Sequence, residues 1–226
     1  MRDVYNTKLA RLSDEILEMG NLCGQAIMKT CQLLASVEIR DAATEDINKI
    51  EKEIDDKEHN IEALCMQLLL KQQPVGADLR KISAALKMVT DMERIGDQAT
   101  DIAEIMMTGS IHVPVTAIPL QEMADHAMHM VNDSVAAYVE GKSDLAKKVI
   151  DSDDILDNLF NQVRKALDMN RMGYSGDEVL DLLMVSKYYE RIGDHATNIA
   201  EWAEFSVDGI HRNGDSVSDL FNPKSL

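Results

Sequence analysis

Proline is scarce in this chain, with four in 226 residues. Glycine is modest at eleven, so little interrupts a long helix. Aromatic residues make up 4% against 45% hydrophobic residues, which leaves Leu, Ile, Ala and Met to build the core. The three cysteines, Cys23, Cys31 and Cys65, form no C-x-x-C and are odd in number, which fits no closed disulfide framework. They lie in apolar helical stretches as small hydrophobes, and a reducing cytoplasm is the expected compartment. Basic residues are outnumbered 23 to 40, giving a net charge of −17. Such a surface repels nucleic-acid phosphates and anionic headgroups, which argues against both as direct partners. An apolar signal core is missing, and no run approaches the ~18 apolar residues of a membrane span. Work at a membrane would require a protein partner to hold the chain there.

What the chain has is helical periodicity. Leu9, Leu12, Ile16, Met19, Cys23, Ala26, Ile27, Thr30 and Leu34 recur at helical spacing and mark a first helix over 5–37. Asp41 is placed to cap a second helix that Pro74 ends. A third is expected over 77–108, a fourth over 117–140 closed by Gly141, and a fifth from Ser143. Ser175-Gly176-Asp177-Glu178 has the form of a capping box and opens a sixth, running to about Phe205. The fold class is all-α: two tandem three-helix bundles, residues 1–110 and 115–207, divided by Gly109–Thr116 with its Pro114. Residues 208–226 read as a loose tail.

The halves repeat a sequence. Glu93-Arg94-Ile95-Gly96-Asp97 returns as Glu190-Arg191-Ile192-Gly193-Asp194, 97 residues later. The likeness continues from Ala99-Thr100-Asp101-Ile102-Ala103-Glu104 into Ala196-Thr197-Asn198-Ile199-Ala200-Glu201. At about 100° per residue, Glu93, Asp97, Asp101 and Glu104 fall within about 80° of one another. They border the apolar face of Ile82, Ala85, Val89, Gly96, Ala99 and Ala103, so they occupy its shoulder. The middle helices agree as well: Glu51-x-x-x-Asp55 is answered by Asp153-x-x-x-Asp157, again beside apolar rows. Half-desolvated like charges at i and i+4 are unfavourable unless a cation holds them.

Glu-Arg-Ile-Gly-Asp-x-Ala-x-x-Ile-Ala-Glu, present twice, resembles the PhoU family of bacterial phosphate-signalling regulators. Gln73-Pro74-Val75-Gly76-Ala77-Asp78-Leu79-Arg80 is similar to that family too, and the resemblance covers about residues 5 to 205. Asn198 departs from it, standing where the first copy has Asp101. The resemblance implies two E/D-x-x-x-D motifs per three-helix bundle and negative control of the phosphate-starvation response. It also implies a phosphate ABC transporter ATPase and a membrane sensor histidine kinase as partners, at the inner face of the membrane, and a homodimer.

Oxygen ligands select hard cations. Glu51, Asp55, Glu93, Asp97 and Asp101 form the expected metal set of the first half. Asp153, Asp157, Glu190, Asp194 and Asn198 form that of the second, with the identity open among iron, manganese, magnesium and zinc. Asn198 offers a neutral oxygen, so the second site is expected to be the weaker. Small-residue seams, Gly96-Ala99-Ala103 and Gly193-Ala196-Ala200-Ala203, permit the necessary close approach of helices. The alternative is structural, with small residues packing the bundle and Arg94 and Arg191 neutralising the acids. Among enzymes, a di-iron oxidase needs Glu-x-x-His on two helices, and the chain has none. His126-x-x-His129 reads as surface or packing histidines. No phosphate-binding loop or nucleophile constellation is present, and the reading is a non-enzymatic regulator. Metal storage, a carboxylate-bridged metal enzyme and a purely structural helical adaptor remain as alternatives.

Overall fold

The computed structural model describes residues 2–112, 115, 117–169 and 173–210. Six helices follow in order: α1 (Arg2–Ala35), α2 (Arg40–Gln72), α3 (Ala77–Thr108), α4 (Leu120–Glu140), α5 (Ser143–Asp168) and α6 (Gly176–Asp208). The apolar spacing of α1 resolves into one buried row, with Leu12, Ile16, Met19, Cys23, Ile27 and Leu34 fully inaccessible to solvent. Such rows supply most of the stability, since helices of this composition are held by packing more than by propensity.

Helix ends follow local chemistry. Ser175 accepts from the backbone of Glu178, whose carboxylate accepts from the Ser175 N–H at 2.7 Å, completing the expected capping box. Gly141, at φ 65°, closes α4 in the left-handed conformation that a side chain would resist. The expected cap at Asp41 is not found. Ile39 occupies that position without a side-chain cap, and Asp41 lies in the first turn of α2. There a carboxylate still favours the positive end of the helix dipole. Helix α6 runs past Phe205 to Asp208, so the expected tail begins later, and residues 211–226 lie outside the described ones, as do Val113, Pro114 and Thr116 in the expected boundary.

The two three-helix bundles lie side by side, not end to end. Among the described residues α2 packs on α1 and α3 alone, and α5 on α4 and α6 alone. The join is made by α3 against α6 and α1 against α4. Asn198 donates to Asp91 at 3.1 Å, and Asp101 bonds to Tyr188, so α3 and α6 run antiparallel with Gly96 and Gly193 midway between those contacts. The result is a four-helix layer, in the order α2, α3, α6, α5, backed by α1 and α4. A local two-fold relation therefore places the repeated motif helices at the centre of the molecule.

Burial does not respect the halves. One continuous apolar cluster runs from Leu12 to Phe205 through all six helices. Tyr189 of α6 and Thr30 of α1 share a buried hydrogen bond of 2.7 Å, and Tyr138 of α4 donates to the Lys81 carbonyl of α3 at 2.9 Å. Arg40 is the most deeply committed cation, only 5% exposed. Its guanidinium donates to the carbonyls of Leu33 (3.2 Å) and Met106 (3.1 Å), and also to Ile111. It thus ties the ends of α1 and α3 to the segment that leads into the second half.

Candidate functional site: two clefts of paired acidic helices

The contact of α2 with α3 is made at Gly96, where an added Cβ would stand 3.1 Å from Ile54 Cδ1. In the second half Gly193 meets Leu156 still more closely, and an added Cβ there would overlap the Leu156 side chain. Ile54 stands between Glu51 and Asp55 in sequence, as Leu156 does between Asp153 and Asp157. The glycine approach therefore carries the two carboxylate pairs of each half to one cleft.

The electrostatics record the meeting. Glu51 is pushed above the usual carboxylate range by burial, then by the charges of Asp55 on its own helix and Asp97 on α3. Glu93 is raised by burial, then by Asp97, with smaller effects from Glu58 and Asp55 across the cleft. In the second half Asp153 is raised by burial and by Asp157, with a smaller effect from Glu190. Asp194 is raised by burial, then by Glu190, Asp153 and Asp157. Glu51, Asp55, Glu93 and Asp97 thus face one another, as do Asp153, Asp157, Glu190 and Asp194.

Two expected members are placed elsewhere. Asp101 is turned to the α3–α6 join, where Tyr188 bonds to it, although it still feels Asp97. Asn198 spends its amide on Asp91 of the other half. Asp91 also binds His195 Nδ1 at 2.8 Å. These five side chains, Tyr188 included, belong to the seam between bundles. The sequence reading missed Glu58, three residues beyond Asp55 and raised by burial and by Glu62. Extending the acidic row of α2 by one more turn would have found it.

The clefts differ in their counter-charges. Arg94, half exposed, reaches Glu93 at 3.4 Å and Asp97 at 3.0 Å. In the second cleft Lys187 pairs with Glu190 and lies 5.5 Å above the ring of Phe160. Phe160 holds the place that Glu58 holds in the first cleft. Each cleft has one such cation, so the first is the more negative by the carboxylate of Glu58.

The donor set suits a hard cation: carboxylate oxygens from two helices, no thiol, and one buried hydroxyl, Thr100 Oγ1, without a hydrogen-bond partner. Among the described residues no three His, Cys, Asp or Glu side chains are gathered tightly enough to hold an ion as they stand. Holding one would require rotamer changes at the cleft carboxylates and release of Arg94 or Lys187.

Fold and clefts together define a class: an all-helical protein of two joined three-helix bundles, each presenting one acidic cleft between its second and third helices. The chain belongs to the PhoU family, whose PhoU domain model matches residues 16–106 and 120–203. It is 34% identical over 214 residues to a protein of Clostridium acetobutylicum named "Phosphate-specific transport system accessory protein PhoU homolog", covering 92% of this chain and 96% of that one. A Synechocystis protein of the same name is 33% identical over 211 residues, covering 92% and 93%. Among solved structures, PhoU from Pseudomonas aeruginosa superposes with a TM-score of 0.80 at 27% identity, covering 91% of this chain and 99% of that one. The phosphate transport system regulatory protein PhoU from Streptococcus pneumoniae shares the fold at the same TM-score and 20% identity, covering 92% and 98%.

Proposed function

We propose that this protein is a negative regulator of phosphate uptake and of phosphate-starvation signalling. It acts by contact with the ATPase of a phosphate ABC transporter and with a membrane sensor histidine kinase, and its two acidic clefts take up hard cations. The observation that carries this reading is the doubled cleft in a member of the PhoU family, whose relatives bear the name of phosphate transport accessory proteins.

Chemistry supports contact over catalysis. The clefts hold carboxylates without a nucleophile or a phosphate-binding loop, and the long helical faces suit partner helices. Among the described residues no helix is long and apolar enough to cross a membrane, and the charge of −17 opposes unaided docking on anionic lipid. Membrane association at the inner face therefore runs through a protein partner. When bound, a cation would neutralise the clefts and alter the surface offered to that partner. Glu51, Asp55, Glu58, Glu93 and Asp97 would hold it in the first half, and Asp153, Asp157, Glu190 and Asp194 in the second.

Deletion of the gene should leave phosphate-starvation genes switched on in phosphate-rich medium, read from a reporter. The purified protein should sediment with vesicles that contain the transporter ATPase or the kinase, and stay in solution with bare anionic liposomes. Normal repression in the deletion strain, with no second copy of the gene, would overturn the reading in favour of metal storage.

A further inference from the structure

Each motif helix carries a threonine three residues beyond the aspartate that closes its repeated string. These are Thr100 and Thr197, at matching places in the repeat. A helical threonine ordinarily spends its hydroxyl on a carbonyl of the preceding turn. Thr30 and Thr108 do so, donating to Ile27 at 2.6 Å and Glu104 at 2.8 Å. The cleft pair behaves differently. Thr197 Oγ1 crosses to Asp153 Oδ1 at 3.4 Å, and it holds that carboxyl back against the upward pull of burial. Thr100 Oγ1 is buried without a partner, while Glu51, the counterpart of Asp153, lies close enough to Asp55 to be raised by its charge.

We propose that Thr100 and Thr197 are positioning residues of the two cation sites, each hydroxyl donating to the carboxylate brought in by the outer helix, Glu51 or Asp153. The proposal rests on the cation reading given above. A carboxylate that receives such a bond on one oxygen turns the other toward the cleft and loses rotational freedom. In the second cleft the shorter Asp153 keeps this bond in the cation-free state. In the first, Glu51 lies beside Asp55 and Thr100 keeps an unused donor. Separating Glu51 from Asp55 by a cation would restore the bond.

The test replaces each hydroxyl by a methyl of the same shape. Thr100→Val is made in an Asp194→Ala background and Thr197→Val in an Asp97→Ala background, so that each reports on one cleft. Manganese binding is measured by calorimetry and by the free-ion electron paramagnetic resonance signal. Each Val variant should bind about tenfold more weakly than its background, and Thr→Ser should recover the affinity. Without cation, Thr100→Val should melt no lower than its parent, because an unbonded buried hydroxyl is removed. Circular dichroism melting separates a folding defect from a binding defect, and Thr→Ala repeats the reading should a Val variant misfold. Binding within twofold of the background, while the double Asp97→Ala, Asp194→Ala protein loses manganese, would overturn the positioning role and leave the cation sites standing. Unchanged binding in that double variant would remove the cation reading, and this proposal with it.

Discussion

Single residues decide how the two halves are fastened. Arg40 is buried by its position between the ends of α1 and α3, and burial pulls its pKa down from the usual guanidinium range. What compensates is a set of carbonyls at Leu33, Met106 and Ile111. Two of these are helix C-terminal carbonyls, which carry partial negative charge. Truncation by Arg40→Ala leaves those carbonyls buried with fewer donors and should cost about 3 kcal/mol. Urea unfolding measures this, and a loss below about 1 kcal/mol would show that water replaces the guanidinium without penalty. A similar economy holds at Tyr189, whose hydroxyl is buried yet bonded to Thr30 across the join.

Pairs of helices set the character of the clefts. Gly96 and Gly193 let α2 meet α3, and α5 meet α6, close enough that opposing carboxylates repel. Glu51, Glu93, Asp153 and Asp194 all have raised pKa values, with burial the first cause in every case. A carboxyl raised in the folded state stabilises that state below its unfolded pKa, and the benefit is lost as pH rises through the folded value. The cation-free protein should therefore melt at a higher temperature near pH 5.5 than at pH 7.5. Glu15, held low by Lys57, and Glu178, held low by the Ser175 cap, act in the opposite sense. Their contributions fade only as pH falls below the ordinary carboxylate range, so they do not cancel the effect in that window. Calorimetric melts after chelation check this, and a melting temperature that falls steadily from pH 7.5 to 5.5 would contradict it.

For the whole molecule, the continuous core matters more than the boundary between halves. Residues 1–112 alone would expose the faces of α1 and α3 that α4 and α6 cover, including Gly20 against Val135 and Gln98 in the join. An apolar face of that extent seeks a partner. The first half produced alone should self-associate or aggregate, measured by light scattering coupled to size exclusion. A monodisperse monomer with cooperative unfolding would show that each bundle folds without the other.

The sequence by itself determined the helices, the doubled motif and the placement of Glu51, Asp55, Glu93, Asp97, Asp153, Asp157, Glu190 and Asp194 beside apolar faces. All of these follow from local periodicity, which 3.6 residues per turn makes readable along a single chain. The structure alone decided which neighbours those carboxylates meet. It turned Asp101 and Asn198 to the join, brought Glu58 into the first cleft, and set Lys187 over Phe160 beside the second. The cap position expected at Asp41 likewise went to Ile39 because α2 begins two residues earlier, at Arg40, which is already fixed by carbonyls of α1 and α3. The physical reason is one of range. The face of a helix is fixed by bonds four residues apart, whereas the register between helices is fixed by packing between residues such as Asp91 and Asn198, more than a hundred positions apart.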